Sequence, residues 1–250
     1  MKIRKLIVLF GDSLTEYGFG VDGQVGWAGL LQAAYTRRAD VLGRGFSGYN
    51  TRHALEVLPR VFGREQYPGI FFGTVFLGAN DAQMEGGVQH VPVDEYRDNL
   101  RKIVQAIREQ AGDDFPIVVM TPPPVYEPDW GDFLKGNGAS EGESDRTNER
   151  ARLYGSQAKA VAEEMNCLCL DVFELLDGSS LPEQRHQYLS DGLHLNEQGN
   201  RKLYQGLMDL LQQNRPDLCP MSEDDGRGKY GKVGVPYEEK LWRELCGLPL

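Results

Sequence analysis

The sequence predicts an α/β fold: one five-stranded parallel sheet covered on both faces by helices. Three observations predict it. Short, almost continuously apolar runs alternate with segments whose apolar residues recur at helical spacing. Strands that are apolar nearly throughout are buried on both sides, as parallel strands between two helical layers are. Polar clusters follow the first three runs directly, at the carboxyl edge where ligands of such sheets bind.

Taken in order, Leu6-Ile7-Val8-Leu9-Phe10 reads as strand one. Trp27, Leu30, Leu31 and Ala34 recur at i, i+3, i+4 and i+7, one face of a helix. A weak strand near Val41-Leu42 precedes a second helical pattern carrying Leu55, Leu58 and Phe62. Ile70 to Leu77 is strand three. Leu100, Ile103, Val104 and Ile107 form a further helical stripe, which core packing explains. Ile117-Val118-Val119-Met120 is strand four, stopped by Pro122-Pro123-Pro124. Residues 146–165 read as a helix, and Cys167 to Val172 as strand five. Leu203, Leu207, Met208 and Leu211 lie on a last helix with Asn196 as its cap. Five strands in this rhythm suit a flavodoxin-like, doubly wound sheet.

Two stretches fall outside the rhythm. Residues 126–144, rich in Gly, Asp, Glu and Ser, read as a long loop, either a lid or a solvated insertion. Pro216, Pro220, Pro236 and several glycines break the chain after the last helix, and Leu241, Trp242 and Leu245 then suggest a short terminal helix. Residues 1–213 are therefore expected to form the domain and residues 214–250 a C-terminal extension. The Leu241-Trp242-Leu245 segment either packs on its own body or docks on a second copy, making a homodimer.

Composition narrows the function. With 37 acidic against 27 basic side chains, the formal charge is −10, and no long basic stripe is present. Phosphate-backbone attraction has no source here, so nucleic acid is not an expected partner, and an anionic membrane surface would repel the chain. No apolar run approaches the roughly 20 residues that cross a bilayer, and Leu6 to Phe10 is too short for a signal-peptide core. Cys167, Cys169, Cys219 and Cys246 show neither CxxC spacing nor a disulfide framework. A reducing, cytoplasmic location is expected.

The polar signals sit where this fold places a site. Gly11-Asp12-Ser13-Leu14 follows strand one, Gly45-Phe46-Ser47-Gly48-Tyr49-Asn50 follows strand two, and Gly78-Ala79-Asn80-Asp81 follows strand three. Asp191-Gly192-Leu193-His194 precedes the last helix. A three-residue spacing in a turn brings a carboxylate and an imidazole to the same side. The carboxylate then holds one ring nitrogen and leaves the other to act as a base. Acyl transfer needs such a set, because a serine hydroxyl is a poor nucleophile until a base takes its proton. The tetrahedral oxyanion needs fixed donors; Gly48 permits close backbone approach, and Asn80 offers an amide.

These blocks resemble the GDSL-type, or SGNH, hydrolase family, which is built around a Ser, a Gly, an Asn and a His with Asp three residues earlier. Here they read Ser13 in FGDSLTE, Gly48 in RGFSGYNT, Asn80 in FLGANDA, and Asp191 and His194 in SDGLHLN. The wording of RGFSGYNT, LGANDA, TPPP and DGLHLN is most similar to the isoamyl acetate-hydrolysing esterases. Gly43, ahead of Arg44, departs from relatives that often carry a polar residue there. The resemblance implies a three-layer α/β/α sandwich and a cofactor-free serine esterase acting on short-chain, acetate-type esters. It implies Ser13 as nucleophile, His194 as proton shuttle and Asp191 as its orienting partner. The oxyanion hole would be the Ser13 N–H, the Gly48 N–H and the Asn80 side chain. A thioesterase, lysophospholipase or sugar-acetate esterase would use the same site.

Several single residues have plainer readings. Asp12 reads as structural, organising the turn, and Asp81 as a cap for the helix or loop after strand three. A phosphate-transfer role for Asp12 would call for a second acid two residues on, where Leu14 stands. His53, His90 and His186 have no partner spacing and read as surface or packed residues. No HxxxH or HxH pattern completes a metal site around Asp191 and His194. Tyr17, Phe19 and Trp27 read as aromatic core, with the wall of an acyl or alcohol pocket as the alternative.

Overall fold

The computed structural model describes residues 5–220 apart from 22, 37, 63–68 and 138–143. Five strands, β1 (Lys5–Gly11), β2 (Ala39–Gly45), β3 (Ile70–Phe76), β4 (Ile117–Met120) and β5 (Leu168–Leu170), form one sheet in the order β2-β1-β3-β4-β5. All four pairings are parallel, with Val8 opposite Leu42 on one side and Gly73 on the other. This is the doubly wound order, in which β2 lies on one side of β1 and β3 on the other, so that the winding reverses there and opens a crevice at the carboxyl end of the strands.

Helices cover both faces: α1 (Ser13–Glu16), α2 (Trp27–Ala34), α3 (Thr51–Val61), α4 (Val93–Ala111), α5 (Glu127–Gly136), α6 (Asn148–Glu164), α7 (Val172–Leu175), α8 (Pro182–His186) and α9 (Glu197–Asn214). Alternate strand residues point to opposite layers. Ile7, Leu9, Phe72 and Phe76 pack with Trp27 and Leu31 of α2 and Leu203, Leu207 and Leu211 of α9. Val8, Phe10 and Val75 pack with Leu58 of α3, with Leu100, Ile103, Val104 and Ile107 of α4, and with Val161 of α6. The strands are apolar because each has a helical layer on either side. The three-layer sandwich expected from the sequence is present.

Two features depart from the sequence reading. The weak second strand runs for seven residues, pairing with β1 throughout. The stretch expected to be a loop holds the ten-residue helix α5. Its Pro128 sits in the first turn, where a missing N–H costs nothing, and Trp130 on it is buried. Burial of one indole outweighs the poor helix propensity of Gly131 and the neighbouring acids. Asn196, by contrast, caps α9 as expected, accepting from Gly199 N at 3.0 Å.

After α9 the chain turns at Pro216–Leu218 and packs back on the body. Leu218 is buried, and Tyr35 Oη donates to its carbonyl at 2.6 Å. The rest of the extension, with Leu241, Trp242, Leu245 and Cys246, lies outside the described residues. Among the described residues, no helix is long and apolar enough to cross a membrane.

Asp12 joins β1 to α1 as the N-cap, its Oδ1 accepting from Leu14 N at 3.0 Å. Its other oxygen is buried with no partner among the described residues. Burial pushes this carboxyl up to about 7, against the smaller opposing effect of the Leu14 N–H. Because the folded value exceeds the ordinary 3.8, the contribution is fully present below about pH 4 and is lost as pH rises through about 7. Asp12→Asn keeps an acceptor for Leu14 N but has no proton to lose. Its melting temperature is therefore expected to rise relative to wild type between those pH values; parallel melting curves across that range would contradict this. Leu207→Ala, in the layer shared by α2 and α9, is expected to cost about 2–5 kcal/mol in denaturant unfolding.

Candidate active site

Three loops leave the carboxyl edge of the sheet side by side and are tied to one another. Asp12 N donates to Phe76 O at 3.3 Å, linking the end of β1 to that of β3. Phe46 N donates to Gly11 O at 3.0 Å, fixing the loop after β2 against the same point. The Asn80 amide donates through Nδ2 to Tyr49 O at 2.9 Å. Ser13, Gly48 and Asn80 thus belong to one hydrogen-bonded cluster.

Ser13 opens α1 and is 8% exposed, enough for its hydroxyl to reach the crevice. Gly48 has φ +79°, a left-handed conformation that L side chains rarely adopt. The N–H groups of Ser13 and Gly48 meet no acceptor among the described residues, and neither does the second N–H of Asn80.

His194 comes from the turn before α9. Its Nε2 lies 2.9 Å from Ser13 Oγ, and its Nδ1 lies 2.7 Å from Asp191 Oδ2. The other carboxylate oxygen accepts from Leu193 N at 3.0 Å and His194 N at 2.8 Å. Burial works to raise the Asp191 carboxyl, but the His194 ring and these N–H groups together hold it below the usual carboxylate range. A carboxylate at Nδ1 requires the proton there, so Nε2 is left as an acceptor for the Ser13 hydroxyl.

Local backbone fixes this turn. Gly192 has φ +90°, and a Cβ on it would lie 2.4 Å from Tyr126 O. The Gly192 carbonyl accepts from Tyr126 N at 2.9 Å, which anchors the turn to the start of α5. The Tyr17 and Trp130 rings flank His194 at 5.5 and 6.0 Å between centroids. Beside it opens a cavity of about 350 Å³ with Leu14, Tyr17, Val21 and Phe133 among its walls.

The four sequence blocks are therefore brought together, while two other expectations, for the aromatic residues and for Asp81, need correction. Tyr17 and Phe19 are each 42% exposed, and Tyr17 lines the cavity instead of the core; only Trp27 of the three is buried. Asp81 does not cap the segment after β3. Its Oδ1 accepts from the backbone and hydroxyl of Thr51 at the start of α3. His53 completes a capping box with Asn50, His90 contacts Arg150, and His186 pairs with Asp129. Among the described residues no group of three His, Cys, Asp or Glu is placed to hold a metal.

One residue gave no sequence signal. Arg146, in the segment leading into α6, is 4% exposed behind Asn80. Its guanidinium donates to Asn80 Oδ1, Ala79 O, Gln89 Oε1 and Asp145 Oδ1.

Residues 9–202 match the model of the GDSL-like lipase/acylhydrolase family. A GDSL esterase/lipase of Arabidopsis thaliana is 40% identical over 79% of this chain and 81% of its own length. An isoamyl acetate-hydrolyzing esterase 1 homolog of Mus musculus is 38% identical over 87% of each chain. Among solved structures, a lipase/acylhydrolase from Enterococcus faecalis superposes with a TM-score of 0.64 at 22% identity, covering 87% of this chain and 99% of that one, a likeness of fold. The chain belongs to the GDSL-like lipase/acylhydrolase family and is a carboxylic ester hydrolase.

Proposed function

We propose that the protein cleaves short-chain, acetate-type esters through an acyl-enzyme formed on Ser13. The observation that carries this reading is the continuous relay Ser13 Oγ, His194 Nε2, His194 Nδ1, Asp191 Oδ2, with steps of 2.9 and 2.7 Å. Those are hydrogen-bond distances, and the relay ends on a carboxyl group that its hydrogen bonds hold below the usual carboxylate range against the opposing pull of burial.

In the first half-reaction Ser13 Oγ attacks the ester carbonyl as its proton passes to His194 Nε2. The carbonyl π pair moves onto oxygen, and the resulting oxyanion accepts from Ser13 N–H, Gly48 N–H and the second N–H of Asn80. Collapse breaks the C–O bond to the alcohol, which leaves with the proton from His194. Water then attacks the acyl-Ser13 ester, gives its proton to the same nitrogen, and the second collapse releases the acid and returns the proton to Ser13 Oγ. Asp191 stays a carboxylate throughout and stabilises the imidazolium at each tetrahedral stage.

Substrate size is limited by the cavity. About 350 Å³ lies at the low end of small-molecule sites. Leu14, Tyr17, Val21 and Phe133 offer apolar contacts to a hydrocarbon chain of a few carbons, while Gln24, Ser190 and Asn200 bring polar groups to the same walls. The isoamyl acetate-hydrolyzing esterase homologs among the relatives support the same class.

Ser13→Ala is expected to lower kcat on p-nitrophenyl acetate by about 10⁴–10⁶ while leaving the circular dichroism spectrum and melting temperature unchanged. Full activity in that variant would remove Ser13 as nucleophile. In a panel of acyl and alcohol chain lengths, kcat/KM is expected to peak at acetate esters of medium alcohols. A maximum at long acyl chains or at thioesters would reassign the substrate.

A further inference from the structure

We propose that Arg146 is a positioning residue for the oxyanion hole, orienting the Asn80 amide directly and the Gly48 turn through Gln89. This rests on the oxyanion hole assigned above and adds a component to it that no sequence block contains.

The two ends of a carboxamide have nearly the same shape, so packing alone does not decide which way Asn80 faces. Hydrogen bonds must decide. Arg146 Nη2 donates to Asn80 Oδ1 at 3.1 Å, and a guanidinium has no acceptor to offer the other end. Tyr49 O accepts from Nδ2 at 2.9 Å and favours the same orientation from the opposite side. With both in place, the oxygen faces the cation and the remaining N–H is left for substrate. If the amide flipped, it would turn a carbonyl oxygen toward a developing negative charge. A cation on Oδ1 also polarises the amide and strengthens its N–H as a donor.

The same guanidinium serves the second donor. Arg146 Nη2 donates to Gln89 Oε1, which leaves Gln89 Nε2 to donate to Gly48 O at 2.9 Å. Gln89 lies so close that a Cβ on Gly48 would sit 3.2 Å from this nitrogen. One planar fork therefore holds both the Asn80 side chain and the left-handed glycine.

The fork is itself fixed. Arg146 Nε donates to Ala79 O at 3.1 Å and Nη1 to Asp145 Oδ1 at 2.8 Å, and the group lies 5.0 Å from the Trp130 ring centre. Asp145 is anchored by Trp130 Nε1 at 2.7 Å and Gln83 Nε2 at 2.6 Å. Burial pulls the guanidinium pKa down, and the Asp145 carboxylate opposes that pull. A lysine presents one point charge and cannot reproduce four directed contacts.

The test is a double-mutant cycle on p-nitrophenyl acetate with Asn80→Ala, Arg146→Gln and the pair, reading kcat and KM separately, with melting temperatures alongside. Asn80→Ala is expected to lower kcat by about 10²–10³. Arg146→Gln is expected to lower kcat by about 10–10²-fold with KM within about twofold, since the contact matters only when the oxyanion forms. The double variant should lose less than the product of the two single losses, because the route through Asn80 is already removed and only the route through Gln89 to Gly48 remains. Losses that multiply in full, or wild-type kcat in Arg146→Gln, would overturn the proposal while leaving the oxyanion hole standing. Wild-type kcat in Asn80→Ala would instead remove the oxyanion assignment itself. Should Arg146→Gln fail to fold, Arg146→Lys keeps the charge without the fork: a kcat loss of about tenfold or more supports the proposal, and unchanged kcat overturns it.

Discussion

The hydrogen bond between Ser13 Oγ and His194 Nε2 joins residues 181 positions apart, and the rest of the site is arranged around it. It exists because a doubly wound sheet delivers its loops to one edge. Ser13 arrives at the end of β1, the strand at which the winding of the sheet reverses direction. His194 arrives from the turn before α9, which packs against the same sheet through Leu203, Leu207 and Leu211. Neither position is set by its own neighbours in sequence. The bond reports that the whole sandwich has assembled, and apolar burial on both faces of the sheet is what drives that assembly.

Burial imposes a second constraint, because polar groups withdrawn from water must find partners. Asp191 finds three, the His194 ring and two backbone N–H groups, and remains a carboxylate. Arg146 finds four acceptors and an aromatic face. Asp12 and Asp81 are satisfied on one oxygen each, leaving the other buried without a partner among the described residues. Burial pushes Asp12 up to about 7 and Asp81 up to about 6. The contrast separates acids that must hold a charge from acids whose task is to hold backbone: Asp12 caps α1, and Asp81 grips Thr51 at the start of α3.

Much of this was legible in the sequence because its signals are local. Runs such as Ile117–Met120 and stripes such as Leu100 to Ile107 are buried on the faces their periodicity implies. The four polar blocks meet because each directly follows a strand or precedes the last helix. What escaped depends on tertiary context. Helix α5 forms because Trp130 has a place to be buried, which its Gly- and Asp-rich surroundings do not disclose. Tyr17 looks like any aromatic near a strand end, and only the position of His194 makes it a cavity wall. Arg146 stands among other charged residues at the start of a helix, and its contacts with Asn80 and Gln89 span 66 and 57 residues.

The central claim is that an imidazole activates one hydroxyl out of all those in the chain. Labelling with a fluorophosphonate, followed by peptide mass mapping, tests it most directly, since the reagent reacts with a serine in proportion to its activation. One adduct per chain on the peptide carrying Ser13 is predicted, with labelling slowed by orders of magnitude in His194→Ala. An adduct on another serine, or an unchanged labelling rate in that variant, would contradict it.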